Sequence, residues 1–533
     1  MEKKYFGVML DTAKYAVMKP EQVKKFAKTI KSFGYNMIEL YVEDTYQVDG
    51  EPYFGYMRGG YTKEQLKDIV SYCNGIGVEV IPCMQTLAHL KTIFNWVPYW
   101  KINDTQDILL VGEERTYELI ENMFKSLREC FTTEHIHIGM DEALFLGLGK
   151  YMQKHGARNR FDILNEHLAR VVEISKKYKF KPQMWSDMYF RLANNGDYYG
   201  KNIKIAQSVR DKVPKEVSLV YWDYYHTKKE DYLSMLKTHL EFNNDVWFAG
   251  GAWNWTGFVP NNRFTMKSMK QAMFACKQTG VQNIFITTWG DNGSETSVYA
   301  VLPSLFAIRK FYEGVTNMNQ IKAEFKAITG ESFDAFAALD LPDRIAGRES
   351  SENPTKHMLY SDPFLGFLDS TITLGAGEKY KLLAKRFSRY SKQTDYAYLF
   401  SSMAKLCGVM ATKYELGRKT REFYQAGDKE SLRLLVKQYE KTEKKVQEFY
   451  LAFKNLWYAE NKPFGFEIHD IRLGGLKQRL CACRQTLTDY LGGKTEKIPE
   501  LEEKLLDYHG KEKYLAVAAK YHRWASTVSP SII

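Results

Sequence analysis

The chain has 533 residues, 44% hydrophobic and 26% charged, a composition that excludes disordered and fibrous classes. Single cores stop growing at roughly 250–300 residues, so one large barrel plus a second domain is expected. The formal charge is 75 − 64 = +11, but Lys and Glu interleave through the C-terminal half, which reads as a solvated mixed-charge surface and not a nucleic-acid face.

Along the first 312 residues two textures alternate. Short β-branched or aromatic runs fall at Tyr5–Leu10, Met37–Val42, Val78–Met84, His135–Met140, Pro182–Trp185, Ser218–Trp222, Val246–Gly250 and Asn283–Trp289. Between them, apolar residues recur every three or four positions over Glu21–Phe33, Lys63–Ile76, Thr116–Cys130, Phe161–Lys179, Lys229–Phe242, Thr265–Gln278 and Ser304–Tyr312. The first texture predicts buried strands and the second predicts helices that cover them. The connection between the fifth and sixth strands carries the weakest helical pattern. Eight such units over about 300 residues match an α/β (β/α)8 TIM barrel. No Gly-x-Gly-x-x-Gly follows the first strand, which counts against a doubly wound sheet.

Past residue 320 the strand-like runs stop. Helix-favouring, Lys/Glu-rich segments follow at Tyr380–Tyr424, Lys429–Trp457 and Gly475–Leu491, with Ser350–Gly377 as an irregular bridge. The expected division is a catalytic barrel over 1–320 and an all-α C-terminal domain over 321–533. These helices could pack together or form a homodimer seam. No apolar run reaches the ~18 residues of a membrane span, and Tyr5–Leu10 is too short for a secretory signal core. Seven cysteines form neither a disulfide framework nor a zinc spacing, so a reducing cytoplasm is expected, without cofactor or metal.

Barrel active sites form at the C-terminal ends of the strands. Here those ends read Glu43-Asp44, Gln85-Thr86-Leu87-Ala88-His89, Asp141-Glu142, Trp185-Ser186-Asp187, Trp222-Asp223-Tyr224-Tyr225, Trp253 with Trp255, and Trp289-Gly290-Asp291. Five of the ten tryptophans thus fall at the rim. Aromatic faces stack on pyranose C–H faces and carboxylates bind sugar hydroxyls, so the composition suits a carbohydrate. Each residue also has a plain structural reading: a tryptophan near a strand packs in the core, and an Asp-Glu pair before a helix complements its dipole. His135 and His137 share a strand side, but no third ligand stands at metal spacing, so packed histidines are expected.

His137-Ile138-Gly139-Met140-Asp141-Glu142 resembles the His-x-Gly-x-Asp-Glu signature of family 20 glycoside hydrolases, the β-N-acetylhexosaminidases. The resemblance is closest to the streptococcal-type exo-β-N-acetylglucosaminidase branch. It extends through Tyr41–Tyr46, Tyr53–Gly59, Ile81–Leu90, Met184–Met188, Tyr221–Tyr225, Gly250–Trp253 and Trp289–Gly293 to Asp470-Ile471-Arg472-Leu473-Gly474-Gly475.

The resemblance implies substrate-assisted retaining hydrolysis of a terminal, non-reducing β-linked N-acetylglucosamine, with N-acetylgalactosamine as a second candidate. Glu142 would be the general acid and then the base, and Asp141 would polarise the acetamido group. Trp185, Trp222 and Trp253 resemble the acetamide pocket walls, Trp289 the platform under the ring, and Asp291 the acid on the outer hydroxyls. Tyr224, or Tyr225, would hydrogen-bond the acetamido oxygen. Glu43 and His89 resemble a polar support pair, for which a structural role is an equal alternative. Two departures stand out. Asp11-Thr12-Ala13-Lys14 places Lys14 where the family carries arginine, and lysine lacks the planar fork, which puts substrate affinity and the gluco/galacto preference in question. The chain also starts almost directly at its first strand, without the N-terminal α/β domain of many relatives. The rival readings are a binding protein on a degenerate barrel, a conventional two-carboxylate glycosidase, and a helical scaffold.

Overall fold

Because parallel strands in a barrel are covered on both faces, they must be apolar nearly throughout, and the eight expected runs are. In the computed structural model, which describes residues 3–345, 352–372, 374–512 and 519–531, they form β1 (Phe6–Asp11), β2 (Met37–Tyr41), β3 (Glu79–Cys83), β4 (His135–His137), β5 (Lys181–Trp185), β6 (Ser218–Trp222), β7 (Val246–Gly251) and β8 (Asn283–Thr288). Each pairs in parallel with its sequence neighbour, and β1 pairs with β8 from Phe6↔Ile284 to Leu10↔Thr288, closing the barrel. The covering helices follow the 3.6 period. Pro20–Ser32 buries Val23, Phe26, Ala27 and Ile30 on one stripe. Lys63–Gly75 starts at a capping box in which Thr62 and Gln65 satisfy each other's backbone N–H groups.

Two places depart from the even pattern. β4 ends at His137, three residues short of the expected Met140. The backbone turns there: Gly139 has φ 72° and Met140 φ 70°, and neither can continue an extended ladder. A single residue pair, Cys83↔His137, therefore joins β3 to β4. The link from β5 to β6 holds only the short helices Asp187–Ala193 and Gln207–Arg210, as its weak periodicity suggests.

The chain divides into two compact units. The first comprises Met1–Ala252, Arg263–Trp289 and Leu302–Gly330, which is the barrel; the second comprises Trp253–Asn262, Gly290–Val301 and Glu331–Ile533. The segments that follow β7 and β8 thus belong to the second unit. Within it, Phe258 meets Phe449 and Phe453 edge-on, both at 5.3 Å, and Ser297 donates to Glu460 at 2.7 Å. The remainder is helical. Tyr380–Tyr424 is not continuous but lies in three helices, Ala376–Tyr390, Ala397–Lys413 and Leu416–Gln425. The first break falls in Ser391–Asp395, where the Thr394 hydroxyl accepts the Tyr396 N–H at 3.0 Å and competes with the helical bond. Lys429–Glu460 and Glu467–Leu491 are long single helices. The expected bridge 350–377 contains the helix Pro354–Tyr360 and the turn Asp369–Thr371; Ser350, Ser351 and Thr373 lie outside the described residues. Among the described residues no helix is long and apolar enough to cross a membrane.

Gly139 is where the barrel frame meets the site. A Cβ there would collide with the Gln85 amide and stand 3.0 Å from the Met84 carbonyl oxygen, at a φ that L-residues rarely adopt. Gly139→Ala should therefore destabilise the protein by about 2–3 kcal/mol, read as a fall in Tm, while Gly147→Ala in the same connection serves as a comparison for φ strain.

Candidate active site

The ends of β1 to β5 converge on one hydrogen-bonded chain. The Asp11 carboxylate accepts the Ala13 and Lys14 N–H groups, a turn that projects the Lys14 side chain. Lys14 Nζ then donates to Glu43 Oε1 at 2.9 Å, and the Tyr41 hydroxyl donates to the same oxygen at 2.5 Å. Gln85 Nε2 donates both to the Tyr41 hydroxyl, 3.1 Å, and to Asp141 Oδ1, 2.9 Å. Its other end is fixed because Gln85 Oε1 accepts the Met140 N–H at 3.3 Å. His89 Nε2 donates to the second Asp141 oxygen at 3.1 Å and stands 3.8 Å from Glu142 Oε2. Sequence reading expects Lys14, Glu43, His89, Asp141 and Glu142 in one site, and the structure brings all five together.

The backbone holds this arrangement in sparsely populated conformations. Glu43 (φ 37°), His89 (φ 59°), Met140 (φ 70°) and Glu142 (φ 51°) all lie in the left-handed region. Such strain costs of order 1–3 kcal/mol per residue and persists only where surroundings over-determine it. Four such cases gather at the C-terminal rim of one barrel.

Electrostatics separate the two neighbouring carboxyls. Burial alone would raise Asp141, but the His89 imidazolium, the Gln85 amide and the Lys14 ammonium overcome it and hold the carboxyl below its ordinary range. The same pairing acts in reverse on His89: burial would lower it, yet Asp141 and Glu43 push it up to about 9. Glu142 moves the other way. Burial and the Asp141 charge raise it, against opposition from His89, Arg191 and Lys14. Its side chain is still 45% exposed, so a bound sugar that removed this water would raise it further.

Asp187 and Arg191, on the helix after β5, complete the surroundings. Asp187 Oδ2 accepts the Glu142 N–H at 3.1 Å and the Arg191 Nε–H at 2.9 Å, and Arg191 also reaches Glu142 Oε1 at 3.2 Å. Asp187 is fully buried, and burial with the Asp141 charge raises its carboxyl. Gln85, Asp187 and Arg191 were not assigned roles from sequence. Gln85 and Asp187 stand in strand-end runs, and Asp187 and Arg191 have i,i+4 spacing, which ordinarily marks a helix pair.

An aromatic wall adjoins the carboxyls. Trp289 meets Tyr41 edge-on at 4.9 Å and Trp185 at 6.1 Å, and Tyr224 stacks on Trp222 at 5.3 Å. The side chains of Trp289 and Thr287 hydrogen-bond the Tyr224 hydroxyl, whereas Tyr225 is 39% exposed. The Arg191 guanidinium lies 5.9 Å from the Trp222 ring centre, which ties the wall to Glu142. Trp253 and Asp291 belong to the helical unit, where Trp253 is buried and stacked on Trp255 at 4.7 Å and Asp291 is partly exposed.

Inside the barrel, Glu39, Cys83 and His137 bring one ligand atom each within 4.8 Å of one another. Both Glu39 carboxyl oxygens and His137 Nε2 are buried without a hydrogen-bond partner among the described residues. His137 Nδ1 accepts the Gly139 N–H at 3.1 Å, which leaves the ring proton on Nε2 and removes that lone pair. Burial also holds His137 neutral, lowered to about 3, and raises both Glu39 and Cys83 toward their protonated forms. His135 packs edge-on against Tyr5 at 5.2 Å.

Residues 4–279 match the catalytic domain of glycosyl hydrolase family 20. The chain belongs to that family. Residues 334–518 match a second family description, the Glycoside Hydrolase 20C C-terminal domain. Among individual relatives, the family member is similar to a probable beta-hexosaminidase of Arthroderma benhamiae, 22% identical over 230 residues, covering 37% of each chain. It is 22% identical over 216 residues to a beta-hexosaminidase of Akkermansia muciniphila, covering 34% of this chain and 43% of that one. It is 21% identical over 203 residues to human Hexosaminidase D, covering 36% and 40%. The matches thus span less than half the length of these relatives. A solved exo beta-N-acetylglucosaminidase of Vibrio harveyi superposes at TM-score 0.47 with 13% identity, covering 63% of this chain and 58% of that one. A Bacteroides fragilis beta-N-acetylhexosaminidase gives TM-score 0.47 and 16% identity, covering 61% and 69%.

The His89–Asp141 pair should be visible in stability against pH. The His89 contribution is fully present below its ordinary 6.5 and fades as pH rises through about 9. The Asp141 contribution is present above its ordinary 3.8 and fades as pH falls through its lowered value. His89→Gln should therefore cost most between those two ordinary values, about 2–3 kcal/mol after allowance for partial exposure, with the Tm gap to wild type closing above pH 9.

Proposed function

We propose that this family 20 hydrolase is an exo-acting β-N-acetylhexosaminidase that releases terminal β-linked N-acetylglucosamine with net retention. The observation that carries the reading is the opposite pull on adjacent carboxyls: the surroundings hold Asp141 below the ordinary carboxylate range and push Glu142 above it. Ordinary retaining glycosidases need the same division, so what favours the substrate-assisted route is membership of family 20 together with the adjacency of the two carboxyls at one strand end. The acetamido oxygen attacks the anomeric carbon while the bond to the leaving oxygen breaks, and that oxygen takes the Glu142 proton. Asp141 accepts the acetamido N–H and stabilises the charge of the oxazolinium that forms. Water then attacks the anomeric carbon and yields its proton to the Glu142 carboxylate, which regenerates the acid.

The remaining roles follow the wall and the hydrogen-bonded chain. Trp185, Trp222 and Trp253 enclose the acetamido methyl, Trp289 carries the apolar ring face, and the Tyr224 hydroxyl donates to the acetamido oxygen. Lys14 and Asp291 bind the outer hydroxyls, and Glu43 holds Lys14 in place. His89 and Gln85 act through Asp141. The same reading puts the enzyme in a reducing cytoplasm, supported by seven free thiols of which six are buried. It also includes a homodimer through the helical unit, supported by exposed Leu434, Leu451 and Ile471 on its long helices; light scattering should give two chains per particle.

Hydrolysis of three aryl glycosides tests the chemistry. N-acetylglucosaminide should be cleaved and the plain β-glucoside should not, because it lacks the acetamido nucleophile. Equal cleavage of the glucoside would favour a two-carboxylate mechanism, and no cleavage of any would favour a binding protein. Glu142→Gln and Asp141→Asn should each lower kcat by about 10²–10⁴-fold, and Lys14→Met should mainly raise KM, by about tenfold. The alkaline limb of kcat/KM should report loss of the Glu142 proton. Arg191→Met removes a cation that lowers Glu142, so that limb should move to higher pH.

A further inference from the structure

The segment after β8 is held in a conformation that it would not adopt alone. Asn292 (φ 60°), Gly293 (φ 128°) and Ser294 (φ 50°) are three consecutive residues of positive φ, directly following Asp291. Within the same unit, three side chains fix their backbone. Arg472 Nη1 donates to the Asn292 carbonyl at 2.7 Å, Lys356 Nζ to the same oxygen at 3.2 Å, and His469 Nε2 to the Gly293 carbonyl at 2.7 Å. A Cβ on Gly293 would stand 2.6 Å from Arg472 Nη1 and 2.9 Å from His469 Cε1, so the approach is close.

Glu295 pairs with Lys356 at 2.7 Å and with Arg472 at 3.5 Å, which sets one carboxylate against two cations. Lys356 and Glu295 are each only 1% exposed, so this ion pair has little access to water. Burial, opposed by Glu295, lowers Lys356 to about 8. The indole of Trp524 faces both cations: its ring centre lies 4.2 Å from Lys356 Nζ and 4.7 Å from the Arg472 guanidinium carbon. A π-face shared by two poorly hydrated cations is a strong form of that interaction. Arg472 lies in the Asp470–Gly475 stretch, which no step of the hydrolysis uses.

We propose that Lys356, Arg472 and Trp524 are positioning residues that hold Asn292–Glu295 so that Asp291 presents its carboxylate to the outer hydroxyls of the bound sugar. The inference rests on the hexosaminidase reading and on the role of Asp291 in it. Trp524 touches no substrate; it acts by stabilising the two cations, which in turn fix the strained carbonyls beside Asp291.

The test uses the full chain with Trp524→Ala, Trp524→Phe and Trp524→Leu, each alone and combined with Asp291→Asn. Two readouts are taken: hydrogen exchange of the peptide 290–301, and kcat and KM on an aryl β-N-acetylglucosaminide. Trp524→Ala should speed exchange in that peptide and raise KM about threefold to thirtyfold with a smaller change in kcat. Phenylalanine, which keeps a π-face, should restore most of the loss, and leucine of similar bulk should not. That contrast decides the matter even where alanine fails to fold. In the Asp291→Asn background the Trp524 effect on KM should vanish, since the two act on one contact. Unchanged exchange, equal behaviour of Phe and Leu, or an undiminished KM penalty in the double variant overturns the proposal while leaving the activity intact. A wild type that cleaves no N-acetylhexosaminide overturns the functional reading and this inference together.

Discussion

The arrangement depends on keeping one carboxylate charged where burial would neutralise it. Asp141 lies beside Glu142, and left to desolvation both would take up protons. Two contacts prevent that for Asp141 alone, the His89 imidazolium on one oxygen and the Gln85 amide on the other. The rest of the barrel mouth can be understood as what those contacts need. Gln85 must be oriented, so its carbonyl is tied to the Met140 N–H and its amide to Tyr41. Asp141 must turn back toward β3, so β4 stops after three residues and the chain passes through the left-handed region. Glu43 takes the Tyr41 proton donor and the Lys14 ammonium, which keeps the line polar through to β1.

The barrel was legible in the sequence because buried parallel strands leave a strong signature, and each of the eight expected runs became a strand. The exception is informative. His135–Met140 has the composition of a six-residue strand, yet three residues form one, since the close approach of Gln85 to Gly139 is a contact between distant positions that no local pattern records. The same applies to the site. Asp141, Glu142, His89 and Glu43 can be picked out because strand ends are known places for chemistry, and Lys14 only because it stands where the resembled family carries arginine. Gln85 and Arg191 cannot, since a glutamine in a strand-end run and an arginine one helical turn after an aspartate look ordinary until their partners are placed.

The helical half was less legible for a related reason. Helix-favouring composition marked Tyr380–Tyr424 as helical but did not show its breaks, which depend on one threonine hydroxyl taking a backbone N–H and on where the neighbouring helices pack. The allegiance of Trp253–Asn262 and Gly290–Val301 to this unit was not legible at all. In sequence they read as ordinary loops between strand and helix. Only the packing of Phe258 on the helix Lys429–Glu460 and the grip of Arg472 on Asn292 assign them elsewhere.

That allegiance bears on how such a protein can be inherited or recombined. A cut near residue 320 looks like a clean seam in the primary structure, but two of the segments that follow barrel strands are folded with what lies beyond it. A chimera joined at that seam would carry one parent's strand ends and another parent's supports for the loops that follow them. The packing of Phe258 and the carbonyl contacts of Asn292 and Gly293 would then have to be matched anew. Drift in the helices is therefore constrained by the barrel's loops, and the two halves should change together or not at all.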